Sequence, residues 1–315
     1  MASLKEVGER ALIRNIVSRI RSSGRPGIGD DAAVLKLKGP TVISTDVLTI
    51  GKHKPEGTTF MEFGWMAAAV NFSDIASMGA RPAGILAALS MPPDMDESCV
   101  YDMMIGMDDC AKYCGTYVIG GDTKEGAGSI CGTAVGDLEN RHPMMRSGAC
   151  DGDVVAVTGT LGSPAAGYYA LKNKVDEPEA VIALRRPMPR FKEGTILAEV
   201  GATSCMDISD GLSSAVTEIC GQSGVGMEIW WDQLPRGKGV LNMTKFVSEE
   251  TMLMDFGGEY ELLFTIPGEK TDELRRKMKF TVIGTVNSGE RAYLLKQNGR
   301  TEIRNGGYEH FKDRS

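Results

Sequence analysis

The chain has 315 residues, 42% of them hydrophobic and 24% charged, and this length predicts two domains with a core each. With 35 Lys and Arg against 42 Asp and Glu, its net charge of -7 and the lack of a dense basic run exclude a typical nucleic-acid-binding protein. Neither a signal-peptide core nor an apolar run of about eighteen residues occurs, so we expect a cytoplasmic protein with no membrane partner. Seven scattered cysteines without a CxxC pair indicate free thiols in a reducing compartment.

The first half of the chain predicts an α+β arrangement. Apolar residues at helical spacing predict a helix over 4–21, which the glycines and proline of 24–27 end. Two short apolar runs, 32–37 and 41–45, flank the turn-prone dipeptide Gly39-Pro40 and predict a hairpin. The remaining elements predicted here are helices at 59–78 and 97–114 and strands at 85–90, 117–120 and 130–135.

A turn-prone segment, SGACDGD at 147–153, predicts a domain boundary near residues 140–150, because a new strand-like run starts directly after it. The second half again mixes helices and strands. The elements predicted here are helices at 163–173, 191–200, 211–222 and 244–255 and strands at 226–230, 261–266 and 281–286.

Strand-like apolar runs repeatedly finish on an aspartate. VISTD ends at Asp46, YVIGGD ends at Asp122, and SCMDISD carries Asp207 and Asp210. Strands whose ends converge on one cleft would bring these acids together. The alternative is that aspartate is simply a frequent turn and cap residue.

The stretch GRPGIGDDAAV places Asp30 and Asp31 in a glycine-rich loop. Residues 27–32 match the dinucleotide-binding pattern G-x-G-x-x-A. A genuine fingerprint of this kind follows a strand, whereas these residues follow a predicted helix and a proline, so the context does not fit dinucleotide binding. Carboxylates and hydroxyls without a His or Cys cluster suit Mg²⁺ or Mn²⁺, and packed acids need such a cation to offset their repulsion. Several Mg²⁺ ions would let two phosphates approach each other, so the pattern favours phosphoryl transfer.

Nine motifs in order along the chain carry a resemblance to a known family. They are GIGDDAAV, ISTD, AVNFSDIASMGARP, VIGGDT, MRSGA, VTGTLG, MDISDGL, GGEYEL and GGYEHF. Together they resemble the thiamine-monophosphate kinases of the aminoimidazole-ribonucleotide-synthetase-like superfamily. The resemblance implies a two-domain α+β fold: residues 1–145 bind ATP and magnesium and pair into a dimeric β-barrel, and residues 146–315 form an α/β sandwich-like domain that completes the nucleotide and substrate site.

The resemblance further implies a homodimeric enzyme that transfers the γ-phosphate of ATP to thiamine monophosphate with several Mg²⁺ ions and no phosphoenzyme. The implied magnesium ligands are Asp30, Ser44, Thr45, Asp46, Asp74, Asp122, Asp207 and Asp210, with Asp46, Asp122 and Asp210 as catalytic residues. The implied ATP contacts are Gly121, Asp122, Arg146 and Ser209. The implied substrate contacts are His53, Glu259 and Tyr308.

Alternatives remain open for several of these residues. Asp74, three residues after Asn71 on one helix face, could bond neighbouring backbone, and Arg146 could be an ordinary surface cation. His53 could be a loop residue and Tyr308 a packing residue. The family's usual His-Phe pair is absent after ISTD, and GGEYEL is one acidic residue shorter than the family's motif.

Two other functions are compatible with the motifs. One is another ATP-dependent reaction of the same superfamily, such as that of aminoimidazole ribonucleotide synthetase. The other is a non-catalytic nucleotide-binding homologue, which the presence of all the motif aspartates disfavours.

Overall fold

The computed structural model describes residues 2–20, 32–308 and 311. It divides the chain into two compact units. The N-terminal unit comprises Met1–Ile75 and Ala80–Asn140, and the C-terminal unit comprises Ala76–Gly79 and Arg141–Ser315. Within the described residues, the structure contains no helix that is both long and apolar enough to cross a membrane.

The N-terminal unit contains a four-stranded sheet with the order β1-β4-β2-β3. The β1–β4 and β4–β2 pairs are antiparallel, and β2 and β3 are parallel. Its strands are β1 (Thr41–Thr49), β2 (Arg81–Met91), β3 (Val118–Glu125) and β4 (Ser129–Asp137), and its helices are α1 (Leu4–Val7), α2 (Glu9–Arg19), α3 (Ile50–His53), α4 (Phe60–Ser77) and α5 (Glu97–Tyr113).

One face of this sheet is covered and the opposite face of β1 is open. Helix α4 is buried along most of its length, because its sequence is apolar nearly all round. Strand β1 alternates between exposed and more buried residues, as a half-buried strand does. On its open face, Ile43 is 66% exposed and Val47 is 55% exposed.

The C-terminal unit is built on a seven-stranded sheet with the order β11-β10-β7-β9-β5-β8-β6. Its strands are β5 (Val154–Val157), β6 (Ser204–Asp207), β7 (Gly226–Trp230), β8 (Leu262–Ile266), β9 (Thr281–Asn287), β10 (Ala292–Lys296) and β11 (Gly299–Glu302). Its helices are α6 (Ser163–Asn173), α7 (Pro178–Arg185), α8 (Phe191–Val200), α9 (Leu212–Ser223), α10 (Val240–Met243) and α11 (Thr271–Lys277), with short 3-10 turns at Trp231–Gln233 and Gly268–Lys270 and a π-helical turn at Thr251–Asp255.

Two cores lie on the two faces of this sheet, and the period of two in β5 separates them. Val155 and Val157 pack in a large core with α6, α7, α9 and α10. Ala156 packs in a smaller core with α8 and α11, and Val154 lies against that core. The mixed α/β content that the sequence predicts is therefore present, with helices on both faces of the sheet.

The long, strongly periodic elements match their predictions closely. The predicted helices at 163–173 and 191–200 and the predicted strand at 226–230 coincide with α6, α8 and β7. Helix α5 differs from its predicted bounds by one residue at one end, and α4 and α9 differ by one residue at each end. These elements combine a clear apolar period with caps or glycines at their ends.

The predicted hairpin before β1 is wrong. Residues 32–37 form no strand, and β1 pairs with the distant strand β4. The amides of Lys38 and Gly39 donate instead to the Asp137 carboxylate, at 2.7 and 3.0 Å. The carboxylate of Asp137, at the end of the neighbouring strand β4, thus accepts hydrogen bonds from the residues that were expected to form the hairpin turn.

Two predicted helices are also wrong in extent. The helix predicted at 4–21 is broken at Gly8 into α1 and α2. The helix predicted at 244–255 is confined to its C-terminal part: α10 ends at Met243, before the predicted range, and the π-helical turn begins at Thr251, whose amide donates a hydrogen bond to the Ser248 hydroxyl at 3.0 Å.

Of the three apolar runs that were predicted to finish on an aspartate, the one that forms β6 does so, at Asp207. Strand β1 continues to Thr49, three residues beyond Asp46. Strand β3 likewise continues from Asp122 to Glu125.

Candidate active site

Three of the predicted metal ligands meet where β1 packs on α4. The Ser44 hydroxyl donates a hydrogen bond to the Asp74 carboxylate. The Asp46 amide donates to Oδ1 of Asn71 at 3.1 Å. Because Ser44 and Asp46 are two residues apart on a strand, and Asn71 and Asp74 three apart on a helix, each pair shares a face. Thr45 lies between them on the strand, and its hydroxyl donates to the Gly132 carbonyl at 2.8 Å.

Asn71 organises this contact, and the sequence analysis assigned it no role of its own. The residue is fully buried, and its Nδ2 donates to the Ala67 carbonyl at 2.9 Å. The amide oxygen then remains available for the Asp46 backbone. A lone amide inside the apolar run MAAAVNF is a signal that could have identified it, since a buried polar side chain needs partners.

Gly121 and Asp122 lie on β3, at the opposite edge of the sheet from β1. Strands β4 and β2 separate the two, so at about 4.8 Å per strand the backbones of Asp46 and Asp122 are roughly 14 Å apart. The structure therefore does not bring them together within the N-terminal unit. Lys124, 3.2 Å from Asp122, and the Thr123 amide hold the pKa of the Asp122 carboxyl below its ordinary value.

Of the two remaining predicted residues of the N-terminal half, His53 is described by the structure and Asp30 is not. His53 is the last residue of α3, and its Nδ1 accepts a hydrogen bond from the Thr49 amide at 2.9 Å. Asp30, together with the glycine-rich loop around it, lies outside the described residues.

In the C-terminal unit, the connection from β6 to α9 gathers predicted residues of all three kinds. Asp207 is buried at the end of β6, and Ser209 and Asp210 follow it. The Ser209 carbonyl accepts a hydrogen bond from the Gly258 amide at 2.7 Å. The Asp210 carbonyl accepts one from the Tyr308 amide at 3.0 Å. Predicted metal, ATP and substrate residues thus lie on segments that are hydrogen-bonded to one another.

Glu259 follows directly on this contact. Its carboxylate accepts a hydrogen bond from the amide of Gly162, the N-cap residue of α6. Burial raises the pKa of the Glu259 carboxyl well above its ordinary value, and the charge of Glu261 adds to the effect, while the Gly162 amide opposes it. Within the described residues, no lysine or arginine forms an ion pair with Glu259 through a contact of 4.0 Å or less. A half-buried carboxylate of this kind favours the approach of a cation.

A buried ion pair lies two residues after Glu259 in the chain, and the sequence analysis did not predict it. Glu261 is 6% exposed, and the Arg190 guanidinium donates two hydrogen bonds to its carboxylate, at 2.6 and 2.5 Å. The Thr158 hydroxyl donates a third hydrogen bond at 2.6 Å. An acidic residue directly before a mostly apolar strand, LLFTI, is the signal that could have predicted a paired carboxylate.

Arg146 does not join this group. Its carbonyl accepts a hydrogen bond from Ser223, the last residue of α9, whereas Ser209 precedes the start of that helix. Helix α9 has 12 residues, and thus a length of about 18 Å. The Arg146 guanidinium lies 3.9 Å from Glu218 on the same helix.

The donors that these segments offer are oxygens. No three Asp, Glu, His or Cys side chains within the described ranges are grouped so that they could hold a metal ion. Mg²⁺ usually takes only one or two protein carboxylates and fills its remaining positions with waters and substrate phosphates. The pairing of a serine hydroxyl with an aspartate at Ser44 and Asp74 is therefore compatible with magnesium and does not suit zinc.

Comparison with known proteins places the chain in a family. The model of the AIR synthase related protein N-terminal domain matches residues 29–138, and that of the C-terminal domain matches residues 151–296. The thiamine-monophosphate kinase of Methanospirillum hungatei JF-1 is 36% identical over 279 residues, which cover 88% of this chain and 92% of that protein.

Two solved structures show the same relationship. The crystal structure of thiamine-monophosphate kinase from Stenotrophomonas maltophilia K279a has a TM-score of 0.81 and 30% identity, covering 90% of this chain and 95% of that one. AaThiL complexed with AMPPCP and TMP has a TM-score of 0.78 and 30% identity, covering 99% of both chains. From its two AIR-synthase-type domains and its identity to these proteins over most of their length, the chain belongs to the thiamine-monophosphate kinase family.

Proposed function

We propose that the protein transfers the γ-phosphate of ATP to the phosphate of thiamine monophosphate and releases thiamine diphosphate and ADP. Membership of the thiamine-monophosphate kinase family supports this reaction, and so does the binding of AMPPCP and TMP by the related AaThiL. The structural observation that carries the proposal is the hydrogen-bonded contact of Ser209 and Asp210 with the segments of Glu259 and Tyr308. That contact joins residues predicted to bind metal, ATP and substrate.

Magnesium is the proposed cofactor. The proposed ligands are Asp30, Ser44, Thr45, Asp46, Asp74 and Asp122 from the N-terminal half and Asp207 and Asp210 from the C-terminal half. Bound Mg²⁺ would offset the negative charge of the phosphates and align them for in-line transfer. The all-oxygen donor set and the Ser44–Asp74 pair support magnesium over a softer metal.

The chain's own residues have distinct proposed roles. Asp46, Asp122 and Asp210 are proposed as catalytic residues that hold the phosphates in register through their ions. Gly121, Asp122, Arg146 and Ser209 are proposed ATP contacts, and His53, Glu259 and Tyr308 are proposed substrate contacts. For Glu259, its raised pKa supports a role beside the cationic thiazolium ring, because a nearby positive charge stabilises the ionised carboxylate.

A homodimer is also proposed, with the N-terminal domain, residues 1–145, supplying the contact through its sheet. The open face of β1, with its exposed Ile43 and Val47, supports this pairing, because exposed apolar residues on a sheet commonly mark an interface. The C-terminal domain, residues 146–315, is proposed to complete nucleotide and substrate binding. The seven free cysteines support a cytoplasmic location.

Product analysis tests the reaction. Purified protein is incubated with ATP, Mg²⁺ and thiamine monophosphate, and thiamine diphosphate and ADP are quantified by chromatography. We expect equal amounts of the two products and no ADP when thiamine monophosphate is left out. ADP formation only with the substrate of aminoimidazole ribonucleotide synthetase would instead assign the chain to that reaction, and binding of ATP without any turnover would make it a non-catalytic homologue.

A further inference from the structure

The segment from Phe256 to Glu259 runs along α6 in the direction opposite to the helix. At one end, the Phe256 ring lies 5.5 Å from the ring of Tyr168, measured between centroids. In the middle, an added side-chain carbon at Gly258 would lie 3.9 Å from Cβ of Pro164. At the other end, the Glu259 carboxylate accepts the hydrogen bond from the Gly162 amide. Three contacts in sequence thus fix the segment against the helix.

An aromatic platform, which we define as Tyr168, Tyr169 and Phe256, forms one end of this arrangement. Tyr168 and Tyr169 meet edge to face with their centroids 5.3 Å apart, and Tyr169 lies 6.2 Å from Phe256. Tyr169 and Phe256 also pack against the larger core of the unit, which anchors the platform. Tyr168 remains 42% exposed, so its ring offers an accessible surface on a fixed base.

Two glycines lie between the platform and Glu259 and leave that stretch of the segment without side chains. Gly257 approaches the predicted ATP-binding loop so closely that an added carbon would lie 2.5 Å from the Ser209 carbonyl oxygen. Tyr168 lies six positions after Gly162 along α6, which is a rise of about 9 Å along the helix axis. The Tyr168 ring and the half-buried Glu259 carboxylate thus lie at the two ends of this stretch, with the two glycines between them.

We propose that Tyr168, supported by Phe256, binds one ring of the substrate's paired aminopyrimidine and thiazolium system, with Glu259 at the other end of that system. This inference rests on the proposed function and adds a specificity-determining contact to it. The occupant is a flat, cationic heteroaromatic group, since an aromatic face attracts such a cation and the Glu259 carboxylate complements its charge. An apolar protein segment would leave that carboxylate buried without a counter-charge.

Direct binding measurements test the inference without requiring turnover. Thiamine monophosphate and unphosphorylated thiamine are each titrated into the full-length protein by calorimetry in the absence of ATP. Three variants are compared with the wild type: Tyr168→Ala, Tyr168→Phe and Phe246→Ala. Phe246 is the matched control, because it is an aromatic residue of the same unit that is 43% exposed and lies outside the platform.

We expect Tyr168→Ala to weaken the binding of both thiamine compounds by about tenfold, in line with the loss of one ring contact to a cation. Tyr168→Phe keeps the ring and should bind within about threefold of the wild type. Phe246→Ala should bind like the wild type, and the KM for ATP should not change in any of the three. Thermal unfolding of each variant establishes that it is folded.

The outcomes separate this inference from the proposed reaction. If a folded Tyr168→Ala protein binds both compounds as tightly as the wild type, the aromatic contact is wrong, while wild-type turnover still supports the kinase reaction. If Tyr168→Ala loses binding but the wild type forms no thiamine diphosphate, the contact stands and the proposed reaction is wrong. If the wild type binds neither compound, the aromatic contact is overturned, and if it also forms no thiamine diphosphate, the proposed reaction is overturned as well.

Discussion

Glu259 shows how one side chain can be tuned by its surroundings. Its carboxylate has a single backbone donor, Gly162, and lies near a second acid, Glu261, whose own charge is already paired with Arg190. The ionised form of Glu259 is therefore disfavoured in the folded protein. The ionised Glu259 therefore lowers the free energy of unfolding at neutral pH. A cationic substrate bound beside it would offset part of this loss.

The raised pKa of Glu259 predicts how stability depends on pH. Because the folded protein holds this proton more tightly than the unfolded chain, whose glutamate pKa is about 4.3, the residue lowers the free energy of unfolding as pH rises from that value to the folded pKa. Glu259→Gln keeps the acceptor for Gly162 and removes the titration. Urea unfolding of both proteins should therefore show the Gln variant gaining stability over the wild type between pH 5 and pH 8. A constant difference across that range would contradict the assignment.

The Arg190–Glu261 pair predicts a large and local mutational effect. Arg190→Met would leave the buried Glu261 carboxylate without its forked partner, and we expect a loss of about 3 kcal/mol in the free energy of unfolding. Lys238→Met is the matched control, because its pair with Glu179 is exposed on both sides and should contribute less than about 1 kcal/mol. Equal losses in the two variants would show that the buried pair contributes no more to the free energy of unfolding than the exposed pair does.

Among the elements, the contact between β1 and α4 positions the acids of the N-terminal unit. The Asn71 side chain bridges the two elements, since it donates to Ala67 within the helix and accepts from Asp46 on the strand. One turn further along α4, Asp74 accepts from Ser44. A shift of β1 by one residue would turn Ser44 and Asp46 to the other face of the sheet, so this contact also fixes the strand register.

Removal of the Asn71 amide should therefore destabilise the protein. Asn71→Ala leaves the Asp46 amide without its acceptor and removes the side-chain hydrogen bond to the Ala67 carbonyl, and we expect a loss of about 2 kcal/mol. Asn173→Ala is the matched control, because its amide also donates to a carbonyl four residues earlier but is exposed. Chemical unfolding should show an effect below about 0.5 kcal/mol for that variant. A similarly small effect for Asn71→Ala would contradict the bridging role.

The elements also show how far the sequence alone could predict the fold and the site. Helices such as α6 and α8 follow from local apolar periodicity, which is why their bounds were predicted well. Strand β1 pairs with β4, and the amides just before β1 bond to Asp137, about a hundred residues away, so no local pattern reveals these contacts. The same holds for the site. The motifs predict Ser209, Asp210 and Glu259 as site residues, whereas the contact of Arg190 with Glu261 joins residues 71 positions apart and no local pattern indicates it.

For the whole molecule, the open face of the N-terminal sheet predicts self-association. Ile43 and Val47 project from the same face of β1 and are mostly exposed in the single chain. Substitution of both by lysine would place two charges in the proposed interface, so we expect sedimentation to show a dimer for the wild type and a monomer for the double variant. Ile182→Lys is the matched control, because Ile182 is also an exposed isoleucine but lies on α7 of the C-terminal unit. Dimers that persist in the double variant would place the interface elsewhere.

In the proposed reaction, the aspartates of the molecule bind the magnesium that phosphoryl transfer needs. The most direct measurement is the rate of thiamine diphosphate formation as a function of Mg²⁺ concentration, for the wild type and for Asp210→Asn, which keeps the shape of the side chain and removes its charge. We predict that wild-type turnover requires Mg²⁺ and that kcat of the folded variant falls by roughly 100-fold or more. A variant with the wild-type rate and the same Mg²⁺ dependence would contradict the account.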